Sequence, residues 1–536
     1  MAWPTAVHQT RAVFHLPAGR PPARLLLPAM AVAVLAGLPI AYLVIRALEV
    51  DQSALALILR PRTAEILFAS LALGLAVGVG SVCLGVPLAW LTARTDLPGR
   101  RLWTVLTVVP LAIPSYVIAF AFVAALGPRG AMGEFLRGAG LSALPSIYGF
   151  AGATLVLTLA TYPYVLLGVR GALLRSDPAI EEAGRVLGDR SLVVFRRITL
   201  PLLLPAIAAG ALLAVLYALA DFGAVAILQF DTFARAIYIQ YRSSFDRSLA
   251  AVFALMLVGV TLVVAWMESR LRPRAALISH APRRPAPPVR LGAWRWPALA
   301  FCSAVVTLAL IVPAGTIAFW LLRGVAQGEP LRIVGAAAAN SMIAGLLTAV
   351  AVAAMALPVV FLTVRHPGRL SGLIERVLYG AYAVPGIVLA LAFVFFVLNV
   401  TPFLYQTLLV LVLAYAIRFL PQQIGPTRTA LLQVSPRLVE AARTLGQTSS
   451  GAFRGVTLPL LRPGLIAGMA LVFLTTVKEL PITLLVGPTG FQTLSTAIWG
   501  AATEGFYARA AAPAAMLMLL SAATLALLFR GEEPVR

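Results

Sequence analysis

Three charged residues stand where apolar surroundings make charge costly. Asp221 closes one apolar run in ALADFGAVAIL, and Lys478 and Glu479 close another in TTVKELPITLL. Ionisable groups in such places tend to mark ion pathways or to pair with one another. Two carboxylates facing one pathway would attract a cation or offer oxygen ligands to a hard metal ion. The same residues can equally be helix-end groups paired locally, with Lys478 neutralising Glu479. Two acids do not define a ligand set, so the metal, if there is one, stays unknown. Other chemistries find no support. The four His are scattered with no HExxH spacing, and no GxxxxGK[ST] phosphate loop occurs. Cys83 and Cys302 both sit in apolar runs and form neither a disulfide framework nor a metal motif.

A second set of polar residues occurs twice. Residues 173–201 and 431–459, 258 positions apart, are identical at 14 of 29 positions. The shared residues include Pro178/Pro436, Glu182/Glu440, Ala183/Ala441, Arg185/Arg443 and Gly188/Gly446. Each copy carries its own helix signals. Asp177 or Ser435 suits an N-cap, and the Pro that follows suits the first helical position. Gly188 or Gly446 suits the stop. The spacing predicts a helix of roughly ten residues. Ile180, Ala183 and Leu187 form an apolar stripe in the first copy, and Leu438, Ala441 and Leu445 form it in the second. Such a helix can lie at a membrane interface or dock into a groove of another protein. Repetition of the polar positions favours docking.

The pattern Glu-Ala-(Ala/Gly)-x-x-x-Gly followed by Leu-Pro resembles the EAA loop of bacterial ABC importer permeases. The resemblance implies a coupling helix that inserts into a cleft of a cytoplasmic ATPase. The residues concerned would be Glu182, Ala183, Gly184, Arg185 and Gly188, and in the second copy Glu440, Ala441, Ala442, Arg443 and Gly446. Gly184 departs from the family's usual Ala, which is expected to weaken the first helix slightly.

These loops belong to a chain built for lipid. It has 536 residues, of which 60% are hydrophobic and 12% charged. A mean hydropathy of +0.93 excludes an ordinary soluble domain. About 20 apolar residues cross a bilayer as a helix, and twelve such runs are read. They lie near 24–46, 64–92, 102–127, 147–169, 201–220, 248–268, 297–322, 339–363, 377–398, 403–420, 460–478 and 508–529. The first is long enough to span rather than to serve as a cleaved signal. Pro163 and Pro421 are expected to end or kink the fourth and tenth runs. Trp294, Trp296, Trp320 and Trp499 suit interfacial anchoring.

The halves repeat beyond the loops. Ser70, Gly74, Pro87, Pro114 and Phe122 match Ser341, Gly345, Pro358, Pro385 and Phe393 at an offset of 271. The chain therefore reads as two parallel six-helix repeats. The first half is 1–269, the second is 297–536, and 270–296 is a Pro- and Arg-rich linker. The net charge of +22 is almost wholly Arg. With the N-terminus inside, 30 of the 42 basic residues fall on the inner side. That bias places both termini, both repeated loops and the linker in the cytoplasm. It also explains the basic balance without nucleic acid.

The phrases ADFGAVAIL…FDTF (220–233) and KELPITLL…GFQTLSTAIW (478–499) resemble fused bacterial ferric-iron permeases over nearly the whole chain. The resemblance implies an all-α polytopic fold of the type I ABC importer kind, in the bacterial inner membrane. It implies two cytoplasmic ATP-binding subunits, which would carry ATP and Mg, and a periplasmic binding protein docked on the outer segments 221–247 and 479–507. This chain would bind no cofactor and catalyse no covalent step. Asp221, Lys478 and Glu479 would line the substrate pathway. Thiamine permeases share the layout, and polyamine or phosphonate importers share the unit. An ion-coupled secondary carrier also uses parallel repeats, but it has no need of duplicated cytoplasmic docking helices. Of the two loops, the second is closer to the family pattern, so its disruption is expected to harm transport more.

Overall fold

A computed structural model describes residues 21–48, 60–128, 130–131, 146–243, 248–271, 288–329 and 332–530. The N-terminal tail, most of the linker (272–287) and most of the long first-half loop lie outside the described residues. Among the described residues there is no β-strand, only a bridge between Thr95 and Val289. An all-helical answer is what hydrocarbon demands, because a helix satisfies its own backbone polar groups.

Among the described residues, ten helices are long and apolar enough to span. They match ten of the twelve expected runs in order. The third and ninth runs differ from expectation. Arg100–Ala112 and Ser115–Leu126 meet at 94°, and Arg369–Ala383 and Gly386–Val400 meet at 108°. Each break falls at an X-Pro step, Ile113-Pro114 and Val384-Pro385, where the residue before proline is driven out of the helical region. Ile113 is extended, with ψ 124°, and so is Val384, with ψ 129°. Pro163 and Pro421 do not end their runs. Both lie inside continuous helices, Phe150–Arg175 and Leu408–Gln433. Helices that are packed on by their neighbours can absorb an internal proline.

The duplication extends to packing. A Cβ on Gly74 would lie 3.3 Å from Val215, and one on Gly345 would lie 2.8 Å from Phe473. Val215 and Phe473 are themselves repeat equivalents, so span two meets span five as span eight meets span eleven. Likewise Gly210 abuts Val165, and Gly468 abuts its equivalent Gln423. Small residues let helix backbones approach closely where lipid supplies no hydrophobic drive. The outer segments are not plain loops. Each holds a short helix and a longer one, Gly223–Ile227 with Phe233–Ser243 and Pro481–Val486 with Leu494–Thr503. Ser70 Oγ accepts the Phe233 N–H at 3.0 Å, and Ser341 Oγ accepts the Leu494 N–H at 2.8 Å. The matched serines therefore tie each outer helix to its span.

The tryptophans divide. Trp294 and Trp296 are exposed, as anchors should be. Trp320 is buried and donates to Ala124 O at 3.0 Å. Trp499 is also buried, with its ring 5.0 Å from that of Phe222 in the other half. These two hold the halves together instead of marking an interface.

Replacing Gly468 by Leu forces a side chain onto the Gln423 amide, 2.6 Å from its Cβ position. Overpacking of this kind costs about 1–3 kcal/mol. Gly259, in the middle of another helix, has nothing within 4 Å, so Gly259→Leu should be neutral or stabilising, by up to about 1 kcal/mol. Thermal unfolding of the two variants in one detergent checks this, and equal shifts would contradict the close approach.

Candidate functional site

The two breaks and the three predicted charges come together. A cavity of about 320 Å³ between the halves is lined by Asp221, Lys478 and Glu479, with Arg418 from span ten, Tyr217 and Tyr382. Asp221 and Glu479 are both buried, not set at a solvated mouth.

Each carboxylate stands at the start of a short helix. Asp221 Oδ1 accepts the Ala224 N–H at 2.8 Å, and Glu479 Oε2 accepts the Ile482 N–H at 2.9 Å. Each also faces the start of the second limb of a broken span. Ser115, the first residue of one limb, donates its hydroxyl to Asp221 Oδ2. Gly386, the first residue of the other, lies close against Glu479 and Arg418. A Cβ there would sit 3.0 Å from Glu479 Oε1 and 3.1 Å from the Arg418 guanidinium carbon. Negative charge is favoured at helix N-termini.

The two cations serve the opposite ends. Arg418 Nη1 donates to Val384 O at 2.9 Å, at the C-terminal end of one first limb. Lys478 Nζ reaches Leu111 O at 3.4 Å, near the end of the other, and so crosses between the halves. Lys478 therefore does not simply neutralise Glu479, because Arg418 is the cation beside that acid. The local-pairing reading of Asp221 and Glu479 is right in kind, since both cap helices, yet both also line the cavity.

Several lining residues escaped the sequence reading. Arg418 lies within an apolar run and has Ala160 as its repeat equivalent, so duplication did not mark it. Tyr217 packs on Tyr164 with ring centroids 6.1 Å apart. Tyr382 accepts from Gln422 Nε2 at 3.2 Å, and Gln422 Oε1 accepts from Thr475 at 2.9 Å. The usable signal was the pair Pro114/Pro385, each in mid-run at the same offset.

The repeated loops form the expected helices, Pro178–Val186 and Pro436–Thr444. Asp177 Oδ1 accepts the Ala179 N–H at 3.0 Å, whereas Ser435 makes no side-chain cap bond. Gly188 and Gly446 take φ +93° and +86°. The bonds Asp189 N to Gly184 O and Gln447 N to Ala442 O, both 3.1 Å, complete a left-handed stop. Glu182, Ala183, Glu440, Ala441 and Arg443 are exposed. Arg185 lies in the first helix, and its side chain is outside the described set. The apolar stripes face outward, with Leu187 86% and Leu445 85% exposed. Gly184 and Ala442 face inward and are buried. A Cβ on Gly184 would lie 2.9 Å from Ile198 and 3.3 Å from Val194. Their equivalents beside Ala442 are the smaller Val456 and Ala452. The departure to Gly is thus a packing exchange, larger neighbours against a smaller helix residue.

A duplicated bundle with broken spans around a central polar cavity, and with two capped helices presenting unpartnered apolar faces, defines a membrane permease that works with partner proteins. The family model for binding-protein-dependent transport system inner membrane components matches residues 85–277 and 345–530. The chain belongs to that family, and it is the permease subunit of an ABC importer. It is a multi-pass protein of the inner membrane, with an associated binding protein and ATPase. Among relatives, it is 32% identical to the Fe(3+)-transport system permease protein FbpB 2 of Haemophilus influenzae, over 94% of this chain and 97% of that one. It is 24% identical to the ferric transport system permease protein FbpB of Actinobacillus pleuropneumoniae, over 75% of this chain and 62% of that one. The molybdenum transport system permease protein ModB of Mycobacterium tuberculosis is 31% identical, over 44% of this chain and 90% of its own.

Glu479→Gln keeps an acceptor for the Ile482 N–H but leaves Arg418 without its acid, so it should lose stability through charge alone. Glu479→Ala also leaves the buried Ile482 N–H unpaired and should cost about 1–3 kcal/mol more. Thermal unfolding of the pair decides, and equal losses would mean that the charge, not the acceptor, is needed.

Proposed function

We propose that this permease imports ferric iron. The observation that carries the reading is full-length similarity to a relative named for Fe(3+) transport, over 94% of the chain. The molybdenum permeases match less than half of it. Family membership decides against an ion-coupled secondary carrier, and none of the three relatives above is named for thiamine, polyamine or phosphonate.

The pathway runs through the cavity bounded by Asp221, Lys478 and Glu479. Its two acids are offset by two cations, and each acid already accepts a backbone N–H. Such a lining can pass a strongly charged cargo without trapping it. Hydroxyl and carboxylate oxygens line the way for a hard ion, but no dedicated cage is built. Among the described residues, no three His, Cys, Asp or Glu converge on a metal position.

Two cytoplasmic ATPase subunits dock, one on each coupling helix. Glu182, Ala183, Gly184, Arg185 and Gly188 serve one contact, and Glu440, Ala441, Ala442, Arg443 and Gly446 serve the other. ATP and Mg belong to those subunits. Arg bias sets both termini and the linker in the cytoplasm. The halves 1–269 and 297–536 then rock against each other as the ATPase dimer closes, while the binding protein delivers cargo to the outer helices. The exposed stripes Ile180, Ala183, Leu187 and Leu438, Ala441, Leu445 support this, since apolar surface left outside the membrane marks an interaction site.

Uptake of radiolabelled ferric iron into proteoliposomes, with binding protein outside and ATP inside, tests the reading. Iron uptake should require the ATPase, and molybdate uptake in its place would redirect the substrate. Replacing Gly188 or Gly446 by Leu strains a left-handed position by about 1–2 kcal/mol and should lower uptake. Gly446→Leu should do the greater harm, because the first helix is also held to span two by the Arg94–Glu181 ion pair. Equal losses would count against unequal coupling.

A further inference from the structure

One difference between the halves on this side concerns an ion pair. In the first half, Arg94 at the end of span two donates to Glu181 Oε1 on the coupling helix at 3.1 Å and to Ser176 Oγ at 2.5 Å. Thr199 donates its hydroxyl to the same Glu181 oxygen at 3.2 Å. Arg94 and Glu181 are both largely buried, with side chains 8% and 17% exposed. A carboxylate from the helix itself thus fills a site made by one Arg and one Thr. The Arg94 backbone is also fixed, because its carbonyl accepts the Val289 N–H at 2.7 Å.

The second half keeps both donors and lacks the acid. Arg365 and Thr457 are the repeat equivalents of Arg94 and Thr199, and Val439 stands where Glu181 was. Arg365 donates to Val434 O at 2.9 Å. Among the described residues, no carboxylate forms an ion pair with it. In place of the missing carboxylate there is a cavity of about 430 Å³ beside the coupling helix. Arg365, His366 and Arg443 line it, with Ser449 and Thr457 as hydroxyl donors and Glu440 as the one acid.

We infer that this pocket takes a carboxylate side chain of the ATPase subunit docked on the second coupling helix, with Arg365 and Thr457 as its donors. The inference rests on the docking assignment above. The first half shows which chemistry this pair of donors holds. The positive lining is complementary to it, and the pocket adjoins the helix on which the ATPase sits. At the first contact the ATPase carboxylate finds its place filled by Glu181. The two contacts are therefore chemically unequal: the first helix is fastened to its own span, and the second is fastened through the partner.

The test uses the full chain in nanodiscs and the purified ATPase subunit of its own transport system, with binding measured at the two sites. Val439→Glu supplies the carboxylate in cis, as Glu181 does, and should weaken ATPase binding at the second site about tenfold while leaving the melting temperature equal or higher. Arg365→Gln should weaken it similarly, and the double variant should be no worse than either alone, because both remove one interaction. Wild-type affinity in Val439→Glu and Arg365→Gln, with the parent chain binding normally, overturns the proposal alone. A parent chain that binds no ATPase overturns the docking assignment together with it. A rise in melting temperature with inorganic phosphate that Arg365→Gln abolishes, with ATPase affinity unchanged, would assign the pocket to a free anion and overturn the partner's carboxylate.

Discussion

A helix broken inside a membrane must do something with its freed backbone groups, and the centre of this protein is arranged around that requirement. At each break the last carbonyls of the first limb and the first N–H groups of the second lose their usual helical partners. Water is not available throughout the hydrocarbon to replace them. Arg418 answers at Val384 O, and Lys478 at Leu111 O. Asp221 and Glu479 cap their own short outer helices, each with an oxygen on a backbone N–H three residues on, and Asp221 also holds the start of one second limb through the Ser115 hydroxyl. The two cations that line the cavity thus also serve the carbonyl ends of the breaks. The breaks in turn make the cavity, because two spans that turn by 94° and 108° leave room between the halves that straight helices would fill.

Most of the bundle was legible in the sequence because its signals are local and redundant. Ten of twelve runs needed only length and hydropathy. The helices of the repeated loops needed only Asp177, two prolines and two glycines, and the positive φ at Gly188 and Gly446 is the backbone form those glycines permit. The breaks were missed because hydropathy is blind to backbone direction. Ile113 and Val384 are as apolar in a bent span as in a straight one. Arg418 was missed because it has no twin, and Tyr217 and Tyr382 because phenols look alike in a core and at a cavity wall. The tryptophans show the same limit. Trp320 and Trp499 are buried between helices, and only the partners Ala124 and Phe222, distant in sequence, could have said so.

Gly184 illustrates how a local rule can mislead when a neighbour has changed. By propensity a glycine costs a helix roughly 1 kcal/mol relative to alanine. Here the turn that follows carries Ile198 and Val194 where the second half carries Val456 and Ala452. The volume lost on the helix is gained across the contact. Close packing of this kind is conserved as a sum, not residue by residue.

The cavity charges also bear on why the two halves occupy one chain. One acid comes from each half, but both cations come from the second, since Ala160 and Ala220 stand where Arg418 and Lys478 would be. A symmetric pair of first halves would bury two aspartates with no cation. A pair of second halves would bury two glutamates against four cations. Either would leave uncompensated charge in a site where each unpaired ion costs several kcal/mol. Only the mixed pair balances, and Lys478 balances it by crossing to Leu111 of the other half. Once the halves are joined, that pairing is guaranteed at every assembly.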